Sequence, residues 1–191
     1  MKFRGAAVIL LATGLLCGQS TVVHQRAEDA AARRYFTDTV LVDQNGAEKR
    51  FYTDLVQGNV VIIDVMFTSC KDSCPRMAGN LSSIAQWLGP RLGNRVRILS
   101  ISIDPETDTP ARLKEYAERF HGGPGWYFLS GKKDNVELVL KKLGLYVPEK
   151  QDHLNLFLIG NDRTGLWKKA FGMADSKQLI GTIESVLNDP M

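Results

Sequence analysis

The sequence predicts an α/β fold, a central mixed sheet flanked by helices, with one β-hairpin ahead of the central strands and another late in the chain. Three observations carry this. Two apolar, β-branched runs, Val60–Phe67 and Val96–Ile103, are too short for core helices and read as buried strands. Segments with helical apolar spacing alternate with the strands, which favours parallel neighbours. Finally, Asn45-Gly46 and Gly160-Asn161-Asp162 each sit between strand-like segments, as hairpin turns do.

The elements follow in order. Residues 1–20 place Lys2 and Arg4 before an apolar run, Ala6–Cys17, and then Gly18-Gln19-Ser20. That is the pattern of an export signal, and the run falls short of the ~20 residues a spanning helix needs. An uncleaved membrane anchor is the alternative. Lipidation at Cys17 is disfavoured by Leu16, where a small residue is expected. Ala-rich, charged residues 21–34 read as a flexible tether. Strands are expected over Tyr35–Val42 and Glu48–Tyr52, with a helical turn at Thr53–Val56 before the Val60 strand. A helix starting near Pro75 carries Met77, Leu81, Ile84 and Leu88 on one face and stops at Gly89-Pro90.

After the Val96 strand, Thr109 caps a helix with Pro110 at its first position; Leu113, Tyr116, Ala117 and Phe120 form its inner side. Trp126–Leu129 is a short strand. Asp134 caps a helix with Val136, Val139, Leu140 and Leu143 inward and Gly144 past its end. A strand Leu154–Ile159 and a returning strand Leu166–Phe171 make the late hairpin. Ser176 opens the last helix, with Leu179, Ile180, Ile183 and Leu187 as its apolar positions. The order β-α-β-α-β-β-α around a strand-to-cysteine turn is the thioredoxin-like arrangement, which places a domain over residues 35–191.

Formal charge is +3 and falls to +1 without Lys2 and Arg4, so nucleic-acid binding has no electrostatic footprint. A monomer is expected, with no membrane contact beyond any N-terminal anchor. Beyond residue 20 two cysteines remain, Cys70 and Cys74, three residues apart. So short a loop constrains little of the unfolded chain, which favours chemistry over stapling. On a regular helix their β-carbons would stand about 5–6 Å apart, against the roughly 3.5–4.5 Å of a disulfide. A closed pair therefore needs residues 70–73 as a loop. Thiolates sharing a metal at about 2.3 Å each sit roughly 4 Å apart, so the same loop suits a metal. A helix N-terminus at Cys74 favours its thiolate, and Lys71 adds a positive charge.

Two thiolates suit monovalent copper, whereas structural zinc wants four ligands. His24, in the tether, and His121, beside Gly122-Gly123-Pro124, read as solvated. His153 follows Asp152 at the mouth of a strand expected beside the Val60 strand; by spacing alone it is equally a ligand or a loop histidine. Asp152 is placed to orient its second ring nitrogen. Met66, Met77 and Met173 are soft donors whose apolar spacing marks them as core.

Three motifs now resemble one family. Phe67-Thr68-Ser69-Cys70-Lys71-Asp72-Ser73-Cys74-Pro75 resembles the F-T-x-C-x-x-x-C-P signature of the Sco (SenC) copper proteins. Ser102-Ile103-Asp104-Pro105-Glu106-Thr107-Asp108-Thr109-Pro110 looks like that family's S-x-D-P-x-x-D-T-P segment, and Asp152-His153 resembles its Asp-His pair. The resemblance implies a thioredoxin-like domain, exported to the periplasm or the outer face of the inner membrane. It further implies one copper ion, Cu(I) or Cu(II), held by Cys70, Cys74 and His153. The partner implied is the copper-site subunit of cytochrome c oxidase or another copper chaperone. Some members instead reduce disulfides, which would make Cys70 and Cys74 a redox-active pair; a thiol peroxidase is a third reading. Against the oxidoreductase reading, enzymes of this fold usually have two residues between the cysteines and a cis-proline where Asp152-His153 falls. The sequence departs from the family at Lys71, usually proline, and at Leu154, often small and polar; neither supplies a ligand.

Overall fold

The computed structural model describes residues 30–190; the expected leader, His24 and most of the expected tether lie outside them. Strands β1 (Val40–Asp43) and β2 (Glu48–Arg50) form the first hairpin, followed by a helical turn, Phe51–Val56. Then come β3 (Val60–Met66), α1 (Ser73–Leu88), β4 (Val96–Ser102), α2 (Pro110–Arg119), β5 (Trp126–Ser130) and α3 (Lys133–Leu143). A 3₁₀ turn, Lys150–Asp152, precedes the second hairpin, β6 (Leu156–Asn161) and β7 (Leu166–Phe171), and α4 (Ser176–Leu187) follows.

One seven-stranded sheet runs β2-β1-β5-β4-β3-β6-β7. The β3, β4 and β5 strands are parallel, with Met66 opposite Ser102; β6 lies antiparallel to β3, with Leu158 opposite Ile63. This mixed sheet flanked by helices is thioredoxin-like. Period-2 alternation along β3 builds two cores. Val60, Ile62 and Met66 pack under α1, α2 and α4. Val61, Ile63 and Val65 meet α3 and the Phe51–Val56 turn. Each such side chain, fully buried, contributes about 1.5–3 kcal/mol. Asp64, by the same alternation, faces the α1 side.

Several boundaries differ from those expected. Residues 30–36 are helical and β1 begins only at Val40, because Phe36 tucks against Tyr52 (ring centroids 6.0 Å) and Trp167 (5.0 Å) rather than alternating along a strand. Helix α1 opens at Ser73, two residues ahead of Pro75; in a first turn no N–H has an intrahelical partner, so proline at the third position costs no hydrogen bond. Lys132, not Asp134, is the N-cap of α3, and Asp134 instead puts its charge in the first turn, against the helix dipole. Thr109 does cap α2, accepting the Arg112 N–H, with Pro110 first in the helix. Strand β6 starts at Leu156, since the 3₁₀ turn consumes the preceding residues and leaves Leu154 exposed; it then runs through Asn161. Asp175 caps α4; Leu179, Ile183 and Val186 are its buried residues, with Ile180 and Leu187 half-buried against the same core.

Candidate metal centre

Strand β3 delivers the chain to Phe67-Thr68-Ser69-Cys70, and α1 picks it up at Ser73. The intervening loop is pinned from below. Asp108, fully buried, accepts the Thr68 N–H at 3.0 Å, the Thr68 hydroxyl at 2.5 Å and the Ser102 hydroxyl at 2.6 Å. Ser102 Oγ accepts the Asp104 N–H in turn. Cys70 is half-buried, while Cys74, second residue of α1, is buried; both are free thiols.

The histidine arrives from the other side. The 3₁₀ turn folds His153 back so that its Nδ1–H donates to the Lys150 carbonyl oxygen at 3.0 Å. That bond fixes the tautomer and leaves the Nε2 lone pair facing the thiols. Nε2 lies 3.3 Å from Cys74 Sγ and 3.4 Å from Ser73 Oγ. Phe67 packs edge-on against the ring at 5.5 Å. Asp152, expected to hold the second ring nitrogen, is exposed; a backbone carbonyl does that work instead.

The ligand atoms of Cys70, Cys74 and His153 all lie within 4.8 Å of one another. Bonds of about 2.3 Å to sulfur and about 2.0 Å to nitrogen bring ligand atoms to roughly 3.5–4 Å, so a small inward shift of the half-buried Cys70 would close the set on one ion. No other group of His, Cys, Asp and Glu able to hold a metal occurs among the described residues. Met66 and Met77 are core, Met173 is half-buried, and His121 is exposed.

Burial dominates the electrostatics. It pushes the Cys74 thiol above its ordinary range, with Cys70 beside it adding to the effect, so the thiolate expected from the helix N-terminus does not form spontaneously. Burial also lowers His153, outweighing the Lys150 carbonyl, which keeps the imidazole neutral and its lone pair available. A cation would displace the thiol protons on binding. Beneath the thiols, desolvation raises Asp64 to about 7 although Ser100 donates to it at 2.6 Å, and Trp126 Nε1 donates to Ser100 Oγ at 2.9 Å. The Tyr116 hydroxyl, buried without a hydrogen-bond partner among the described residues, is raised by burial first and by Cys74 and Asp64 next.

Of the residues singled out from sequence, Cys70, Cys74 and His153 come together, and Asp152 does not join them. Asp64 escaped notice inside an apolar run, where a lone carboxylate is itself a signal. Asp108 and Asp104 lay in a quoted motif with no role attached to them. Lys150 had no sequence signal.

Fold and site define a class: thioredoxin-like proteins with a dithiol–imidazole centre at the end of the central strand. The chain belongs to the SCO1/SenC family, whose model matches residues 27–188. A SCO2-like protein of Rickettsia conorii is 36% identical over 111 residues, 57% of this chain and 51% of that protein, so the chain spans about half that relative's length. Yeast Sco1 with copper bound superposes with a TM-score of 0.67 at 28% identity, covering 80% of this chain and 92% of that one. BsSco, described as a member of the Sco family of cytochrome c oxidase assembly proteins with a disulfide switch, gives 0.63 at 25% identity, covering 77% and 90%.

Proposed function

We propose that this chain is a copper chaperone in which reduced Cys70 and Cys74, with His153, hold one copper ion and pass it to the dinuclear copper site of cytochrome c oxidase. The observation that carries the reading is the meeting of two thiols and one oriented lone pair within 4.8 Å at the rim of the fold. Two soft sulfurs suit Cu(I), and the imidazole supports Cu(II). Copper bound to yeast Sco1 and the oxidase-assembly role ascribed to BsSco support the assignment. Transfer is ligand exchange at the rim of the fold. The recipient is the copper-site subunit of the oxidase or another copper chaperone, and residues 1–20 direct the protein to the periplasm or the outer face of the inner membrane, where such a recipient lies.

A second reading rests on the unequal exposure of the thiols. Cys70, more accessible, attacks a partner disulfide to form a mixed disulfide; Cys74 then displaces the partner's second thiol and closes Cys70–Cys74. Two thiols are oxidised here and two are formed on the partner. The disulfide switch described for BsSco favours it. The two readings are compatible, since copper-site cysteines must be reduced before they are filled.

Anaerobic titration of the reduced protein with Cu(I) against a coloured chelator tests the first reading. One equivalent bound, and none by Cys74→Ser, is expected. Equal binding by parent and Cys74→Ser would overturn it. Disulfide reduction assayed with and without copper tests the second: copper should suppress it, because the same thiols are engaged.

A further inference from the structure

One loop holds both halves of the site. Asp108, buried, ties residues 104–108 to the thiol loop through Thr68. Asp104, four residues earlier, ties the same loop to the histidine arm: its Oδ2 lies 2.6 Å from Lys150 Nζ. Lys150 is the residue whose carbonyl receives His153 Nδ1–H, and its ammonium also stands 5.4 Å over the Phe67 ring that packs edge-on against that imidazole. The two ties differ in access to water. Asp108 is fully buried, whereas the Lys150 side chain is 36% exposed and that of Asp104 12%. A pair of this kind is screened by salt and open to competition from a partner's charges.

We propose that the Asp104–Lys150 ion pair is a latch that sets how long the His153 imidazole stays on the metal, independently of the two thiols. Closed, it presents three donors. Released, for instance by a charged group of the docking partner, it frees the histidine arm and leaves a two-thiol site that still holds Cu(I) but has a coordination position open to the partner's own ligand. Asp104 and Lys150 are positioning residues that act through His153. The inference rests on copper being held by Cys70, Cys74 and His153, but its first readout needs no copper.

The experiment uses the full reduced chain and the variants Asp104→Asn, Lys150→Met and the charge reversal Asp104→Lys with Lys150→Asp. Asparagine keeps the backbone N–H bond to Ser102, and methionine keeps a stem against Phe67. In the metal-free protein, exchange of the His153 Nδ1 proton, followed by nitrogen-15 NMR, should quicken about tenfold in each single variant, and in the parent as salt is raised. In the Cu(II)-loaded protein, loss of metal to a chelator should quicken about tenfold while Cu(I) affinity stays within about threefold, and the charge reversal should restore both rates. Unchanged proton exchange and Cu(II) release in both single variants would overturn the latch. So would equal losses of Cu(I) and Cu(II) accompanied by a lower unfolding midpoint, the mark of a purely structural pair. A parent that binds no copper would sink the chaperone reading instead, with the proton-exchange result still deciding on the latch.

Discussion

Cys74 and His153 meet at 3.3 Å but arrive there by different routes. The thiol half is an outgrowth of the core: a fully buried strand, a loop fixed by a fully buried carboxylate, and the first turn of a helix whose Met77, Leu81 and Ile84 are all in the interior. The histidine half is an arm. It consists of a 3₁₀ turn of exposed or half-exposed residues, one side-chain-to-carbonyl bond and one ion pair. The first half is tied into the sheet through its buried carboxylate, while the second is tied on through a surface turn and the few contacts around the buried His153 ring. A site that must both hold and surrender a soft metal gains from that division, with geometry set by one half and residence by the other.

The comparison breaks most visibly at Asp64. Folding holds its carboxyl protonated to about pH 7, well above the unfolded value of 3.8, so this proton stabilises the fold fully below pH 3.8 and the contribution is lost as pH rises through 7. The shift corresponds to as much as ~4 kcal/mol. Asp64→Asn should therefore be more stable than the parent at pH 8, by several kcal/mol in denaturant unfolding, and should match it at pH 4. Next in size, Asp108→Ala strands the Thr68 N–H and two hydroxyls in the interior and should cost about 3 kcal/mol. Asp104→Asn, which loosens only the tie to the arm, should cost less than about 1 kcal/mol. Equal losses for these two variants would erase the distinction between the halves.

A smaller effect sharpens it. Because burial lowers His153 below its unfolded value of 6.5, the unfolded chain takes up this proton first, and stability is lost as pH falls from about 6.5 through the folded value. The Asp64 slope runs the other way over the same range, so the test is the difference between parent and His153→Gln. Their unfolding free energies should converge as pH falls below 6.5. Smallest of all, Lys71→Ala, exposed between the thiols, should leave the unfolding curve unchanged within error.

The thiol half was legible in the sequence because its parts are contiguous: strand, loop, cysteines and helix fall within thirty residues and carry their own periodicity. The histidine half was not, since a lone His153 has no pattern, and only the family resemblance chose it over a loop role. Asp152 misled because the tautomer is set by a backbone carbonyl, which no side-chain pattern reports. The ties that hold the site, Thr68 to Asp108 and Asp104 to Lys150, bridge 40 and 46 positions, beyond the reach of local spacing. Tyr35 and Phe36 misled in the fold for a related reason: their alternation suits a strand, yet packing of Phe36 on Tyr52 and Trp167 selects a helical turn.

The central claim, that an imidazole from late in the chain joins two early sulfurs on one metal, is tested most directly by adding Cu(II) to the reduced protein and recording absorption and electron-spin spectra. A thiolate-to-copper charge-transfer band with coupling to one nitrogen is expected, with the coupling lost and the thiolate band kept in His153→Ala. Nitrogen coupling that survives unchanged in His153→Ala, or a parent spectrum without a thiolate band, would contradict it.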